Sequence, residues 1–78
     1  MKLTIYSPEK TLFDGDVTLC DVPGGKGRFT VLSGHDSIVS TLTEGDIRYA
    51  TAQGEERLHI RGGYVEVRDD IISVCAKV

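Results

Sequence analysis

The sequence predicts a single all-β domain, a sandwich or barrel of about eight short strands, and three observations carry that prediction. Apolar and polar side chains alternate with a period of two along most of the 78 residues, which sends successive side chains to opposite faces of a strand. Turn-forming residues recur every eight to ten positions, the spacing of short strands in such folds. Eight Val, six Ile and seven Thr supply branched side chains, which fit a pleated surface better than a helix.

Taken in order, Leu3 and Ile5 share one face of a first strand and Lys2, Thr4 and Tyr6 the other. Ser7-Pro8-Glu9-Lys10 ends it, because proline fixes φ and donates nothing to a ladder. Val17 and Leu19 lie on one face of a second strand, Cys20 and Val22 on the other. Gly24-Gly25-Lys26-Gly27 reads as a hairpin turn needing positive φ. Phe29 and Val31 then alternate with Thr30 and Leu32 in a third strand. Asp36–Leu42 is the one stretch that fits either period, a helical turn or a strand. Ile47 and Tyr49 lead into a turn at Gln53-Gly54, with a return through Leu58 and Ile60. Gly62-Gly63 marks a bulge or a close approach of another backbone. Val65 and Val67 point away from Tyr64, Glu66 and Arg68, and Asp69-Asp70 reverses the chain into Ile71–Val78, where Ile72, Val74 and Ala76 form an inward stripe.

The bulk properties narrow the function classes. Residues 1–78 make one domain near the lower limit at which a core alone stabilises a fold. A net charge of −3 with both signs interspersed carries no electrostatic footprint for nucleic acid. No apolar run exceeds four residues, so direct insertion into lipid is not expected. Two cysteines, Cys20 and Cys75, are too few for a disulfide scaffold and read as reduced, partly buried small hydrophobes.

No constellation reads as catalytic or cofactor-binding. The Gly24–Gly27 loop lacks the spacing of a phosphate loop, and a strand rather than a helix follows it. His35, His59, Cys20 and Cys75 are scattered singly, whereas structural zinc sites bring ligands in close pairs. Ser33, His35, Asp36 and Ser37 are adjacent on one loop and diverge, unlike a triad ordered around a buried third group. His35 reads as a turn residue bonded to neighbouring backbone or as a partner contact, and His59 as a solvated sheet position. The expectation is a protein that is not an enzyme and holds no cofactor or metal.

Pro23 to Ile38 is the most informative stretch. It resembles the signature of the epsilon subunit of rotary F-type ATP synthases, Pro-Gly-x-x-Gly-x-x-Gly-Val-Leu-Pro-Gly-His-Ala-Pro-Leu. The matches are Pro23, Gly24, Gly27, Val31, Leu32, Gly34 and His35. Ser7-Pro8-Glu9 with Leu12-Phe13 resembles the family's opening, Leu42 with Gly45 its Leu-x-x-Gly turn, and Gly62-Gly63-Tyr64-Val65-Glu66-Val67 its Gly-Gly-Phe-Val-Glu-Val strand. The resemblance implies a flattened β-sandwich of eight to ten strands. It implies a foot-of-stalk role in a proton- or sodium-translocating enzyme, peripheral on the cytoplasmic face of a bacterial plasma membrane. There the domain would link the gamma subunit to the c-ring. Carried over by position, Ser7, His35 and Ser40 would lie toward gamma, and Lys26, Gly27, Arg28 and Phe29 toward the c-ring. A free-standing β-sandwich adaptor or carbohydrate-binding module is the alternative, disfavoured by five aromatics and no Trp.

Three departures from the family pattern accompany the match. Ser33 and Ser37 stand where relatives carry proline, so the loop is expected to be less rigid. Arg28 stands where many relatives carry an acid facing a basic c-ring loop. The sequence stops at Val78, whereas most bacterial relatives continue into two α-helices, so the expectation is a chain without that hairpin and without helix-based inhibition of ATP hydrolysis.

Overall fold

Nine strands and no helix run from Met1 to Val78 in the computed structural model, which describes every residue of the chain. One sheet has five strands in the order β2 (Thr11–Asp16), β1 (Lys2–Tyr6), β9 (Ile71–Lys77), β8 (Gly62–Arg68) and β5 (Ile38–Leu42). The other has four, in the order β4 (Phe29–Val31), β3 (Leu19–Val22), β6 (Gly45–Thr51) and β7 (Gly54–Ile60). All pairings are antiparallel except that of β1 with β9. The sandwich is flattened, with principal extents of 25 × 25 × 18 Å.

The period of two builds the core. Leu3 and Ile5 of β1, Val65 and Val67 of β8, and Ile72, Val74 and Ala76 of β9 are buried from one side; Cys20, Val22, Val31, Ile47, Tyr49 and Ile60 meet them from the other. Each large aliphatic side chain so enclosed contributes about 2 kcal/mol relative to exposure. At one end the two sheets are sewn together by Pro23–Gly25. The Gly25 amide donates to the Thr41 carbonyl at 2.9 Å and the Thr43 amide to the Pro23 carbonyl at 2.8 Å, around an isolated bridge between Gly24 and Leu42.

Three sequence expectations change. Val17 does not share a strand with Leu19. It sits in the core beside the chain start, exchanging backbone hydrogen bonds with Met1. The strand in that region is β2, which two acids and a glycine made illegible; it is held by pairing with β1, by a Lys2–Asp14 ion pair at 3.2 Å and by Phe13 packing on Tyr49 at 4.4 Å between ring centroids. Leu32 lies past the end of β4 and is exposed. Asp36–Leu42 contains no helical turn: Ile38–Leu42 is extended because it pairs with β8 along its length.

The glycines of the Pro23 turn are used differently from one another. Gly27 alone has positive φ, at 127°. A Cβ on Gly24 would lie 2.6 Å from the Gly27 carbonyl oxygen, and one on Gly25 would collide with the Thr41 hydroxyl. Close approach, rather than backbone handedness, explains those two. Gly63 combines both demands, with φ of 148° and the Cys75 carbonyl where a Cβ would go, as Gly62-Gly63 suggested.

Candidate functional site

Six of the seven residues singled out from sequence converge. Lys26, Gly27, Arg28, Phe29, His35 and Ser40 line one shallow depression, floored by Ile38 and Val39 at the edge strand β5. Ser7 lies apart, in a separate groove with Pro8 and the Gly62-Gly63 end of β8. It is buried, and its hydroxyl organises its own turn by donating to the Lys10 carbonyl and accepting from the Glu9 and Lys10 amides, each at 3.3 Å. Ser40 pairs with Val65 on the inward row of β5 but stays half-buried because the strand is an edge.

His35 makes the local contact the sequence suggested, Nδ1 lying 2.7 Å from the Asp36 carbonyl. A carbonyl only accepts, so Nδ1 carries the proton and Nε2 is the nitrogen left for other contacts. The ring stacks toward Phe29 with centroids 6.4 Å apart, which couples the Gly34-His35 loop to the Lys26–Phe29 turn.

Two carboxylates that sequence reasoning passed over hold this region. Asp70 sits in the β8–β9 turn with φ of 62° and reaches the loop before β5. Its Oδ1 accepts from the Gly34 amide at 2.8 Å and its Oδ2 from the Ser33 hydroxyl at 3.1 Å. The Gly34 amide and then the Ser33 hydroxyl hold the Asp70 carboxyl below its ordinary range. The serine that stands in place of proline thus gains a cross-link. Asp21, 3% exposed, accepts from Arg48 Nε at 3.2 Å and Nη2 at 2.9 Å and from Thr30 at 3.4 Å, with Arg28 Nη1 at 3.5 Å. Arg28 is folded back over the four-stranded sheet, donating through Nη1 and Nη2 to the Asp46 carbonyl. Its side chain stays 40% exposed, but its guanidinium is engaged within the domain.

The two outer faces differ in kind. The four-stranded sheet is charged outside. Arg48 bridges Asp21 and Glu55, Arg57 lies 3.9 Å from Asp46, and His59 contacts Asp46 at 2.8 Å and Glu44 at 3.3 Å. The His59 contacts, Asp46 first and Glu44 second, raise its pKa above the ordinary value. On the five-stranded sheet, register places Tyr6, Cys75, Tyr64 and Thr41 in one row across four strands. Tyr6, Val39 and Tyr64 are 40%, 73% and 63% exposed there and, with Cys75, line a common hollow. Glu66 and Ser73 complete the lining of that hollow, so three exposed large side chains gather here within a partly polar surface. In sequence its members are spread from position 6 to 75, and only strand order gathers them. The same register separates the cysteines: Cys20 faces the core and Cys75 the outside, and both thiols are free.

The family model for the β-sandwich domain of the ATP synthase delta/epsilon chain matches residues 1–78. The chain belongs to that family. Among its relatives, the ATP synthase epsilon chain of Leptospira interrogans is 36% identical over 74 residues, covering 95% of this chain and 58% of the relative. That of Aliarcobacter butzleri is 38% identical over 76 residues, covering 97% and 61%. This epsilon-type sandwich therefore spans less than two-thirds of the length of those relatives. Its fold is shared with a chain of the Euglena gracilis mitochondrial ATP synthase, at a TM-score of 0.86 and 22% identity over 95% of this chain and 48% of that one. It is shared too with a chain of the Tetrahymena thermophila enzyme, at 0.82 and 13%, over 99% and 63%.

Proposed function

We propose that this epsilon-type domain is a non-catalytic element of the ATP synthase central stalk that joins the gamma subunit to the c-ring. Gamma docks on the outer face of the five-stranded sheet and the Gly34-His35 loop, and the c-ring meets the Lys26–Phe29 turn. In this reading the domain transmits ion-driven rotation, of protons or sodium ions, at the cytoplasmic face of a bacterial plasma membrane. The observation that carries it is the contrast between faces: one surface where the exposed Tyr6, Val39 and Tyr64 gather beside Cys75, continuous through Val39 with the depression holding His35 and Ser40, and a charged, internally paired surface opposite. Family membership supports it, as does the source of one structural neighbour, a central-stalk and c-ring assembly. The adaptor or carbohydrate-module alternative gives way to the family assignment.

Mechanically, the sandwich suits that task. A β-sheet whose core side chains interlock resists shear, because each is packed at crystal-like density. The Arg28 fold-back alters the expected ring contact: both cations of the turn are exposed, but Arg28 also braces Asp21 and the Asp46 carbonyl, which leaves Lys26 as the one without an internal partner.

Titration of the folded domain with gamma from the same organism tests the reading. Tyr64→Asp and Val39→Asp should each weaken binding at least about tenfold, the scale expected when a charge enters an apolar contact. Arg57→Asp on the opposite face should leave it unchanged. Binding that responds to Arg57 and ignores Tyr64 and Val39 would assign gamma to the other face and overturn the proposal.

A further inference from the structure

We propose that Asp70 is the positioning residue of the Gly34-His35 loop, holding His35 in the orientation that the gamma subunit meets. The inference rests on the assignment of that loop to gamma. The loop between β4 and β5 has no strand pairing of its own. Its backbone support is a single turn hydrogen bond, from the His35 amide to the Leu32 carbonyl at 3.1 Å. Gly34 has φ of 84° and nothing within 4 Å of its Cβ position, so no packing enforces its conformation. Besides the His35 ring contacts with the Asp36 carbonyl and Phe29, the loop is held by the Asp70 carboxylate, which takes both of its hydrogen bonds from this loop and lies 36 residues from Gly34 along the chain.

Asp70 is itself fixed from two sides. Its carbonyl accepts from the Lys2 amide at 3.0 Å, tying the β8–β9 turn to the start of β1. Its positive φ, next to that of Asp69, directs the side chain out of the sheet and toward the loop. Aspartate tolerates this conformation better than most residues. The charged groups around the carboxylate are the amino terminus of Met1, which favours its ionised form, and Asp69 of the same turn. A carboxylate accepting from an amide and a hydroxyl makes stronger bonds than a neutral acceptor. His35 follows Gly34 directly, so displacing the Gly34 amide reorients the imidazole and its contact with Phe29.

Substitutions at position 70 separate this role from mere support of the turn. Asp70→Gly keeps the positive φ without strain and removes both hydrogen bonds. Asp70→Asn keeps the conformation and one acceptor oxygen for the Gly34 amide. Amide hydrogen exchange by NMR on the isolated domain, together with titration by gamma, is the measurement. Asp70→Gly should speed exchange at Gly34 and His35 several-fold, leave amides of β6 and β7 unchanged, and weaken gamma binding about fivefold, the scale of one charged hydrogen bond at an exposed site. Asp70→Asn should restore most of both effects, and Ser33→Ala should show a smaller version of them.

If Asp70→Gly speeds loop exchange but leaves gamma affinity intact while His35→Ala weakens it, the loop contacts gamma without needing Asp70, and the inference is overturned alone. If neither Asp70→Gly nor His35→Ala changes gamma affinity, the loop is not at the interface, and the assignment of the loop falls together with the inference. Unchanged exchange at Gly34 in Asp70→Gly would overturn it before any partner is added.

Discussion

Arg48 on β6 grips the buried carboxylate of Asp21 on the neighbouring β3 with Nε and Nη2, at 3.2 and 2.9 Å. The pair joins two strands on the outer face of the charged sheet, and the Asp21 hydrogen bonds raise the Arg48 pKa above its ordinary value. Removing the cation leaves a carboxylate that is 3% exposed with Thr30 and a 3.5 Å contact to Arg28. Arg48→Ala should therefore lower unfolding free energy by about 2 kcal/mol, the cost of leaving a largely buried charge underpaired. Urea denaturation reads it. Adding Asp21→Asn to the same variant should recover most of the loss; simple additivity of the two would mean the residues do not act as a pair.

Arg28 belongs to the same network, so Arg28→Glu should do more than change a surface charge. It sets a new acid against Asp21 and the Asp46 carbonyl, which Arg28 now braces. The domain should lose about 1–2 kcal/mol, while gamma binding by the folded protein stays within twofold or so. Measuring thermal stability beside gamma affinity distinguishes this from a pure docking residue, for which stability would not move.

His59 should give the domain a small stability change near neutral pH. Its folded pKa lies above the ordinary 6.5 because the ring N–H groups donate hydrogen bonds to the carboxylates of Asp46 first and Glu44 second. The contribution is fully present below the unfolded value and is lost as pH rises through the folded one. An NMR titration of the His59 ring should show the raised value, and Asp46→Asn should bring it down. An unchanged titration in that variant would assign the contact no electrostatic role.

Gly63 and Gly54 both have positive φ, at 148° and 125°, yet alanine should affect them very differently. At Gly63 the new methyl meets the Cys75 carbonyl and, at 3.1 Å, the Ala76 Cα, so β8 and β9 must separate. The cost should exceed about 3 kcal/mol and threaten folding. At Gly54 nothing lies within 4 Å, leaving backbone strain of about 1 kcal/mol. Comparing the two melting curves checks the contrast.

The cysteines should react with opposite ease. Burial pushes the Cys20 thiol up to about 12, and only a thiolate reacts with alkylating reagents. Cys75 lies half-buried on the outer face of the five-stranded sheet. Mass spectrometry after mild alkylation of the native domain should find Cys75 modified and Cys20 intact, with gamma protecting Cys75 when bound. Labelling of Cys75 that gamma does not slow would argue against docking on that face.

Local pattern alone determined much of this protein. Alternation of apolar residues located β1, the β6–β7 hairpin, β8 and β9 and named their inward stripes, because a strand facing one core must repeat every two residues. The sequence also carried the family, in the Pro23–Ile38 signature and the Gly62-Gly63 strand. It offered the backbone contact of His35 and the close approach at Gly63, each as one of two readings. Where pattern was silent, pairing decided. Thr11–Asp16 has too little alternation to announce a strand, and Ile38–Leu42 fits two periods; β1 and β8 make them extended by offering unpaired backbone donors and acceptors. The proposed docking surface was invisible for the same reason. Tyr6, Val39, Tyr64 and Cys75 become neighbours only through the strand order β1-β9-β8-β5. Asp21 and Asp70 were equally illegible. Each carboxylate draws its meaning from partners 27 or 36 residues away, and distances of that kind exist only once non-adjacent strands are laid side by side.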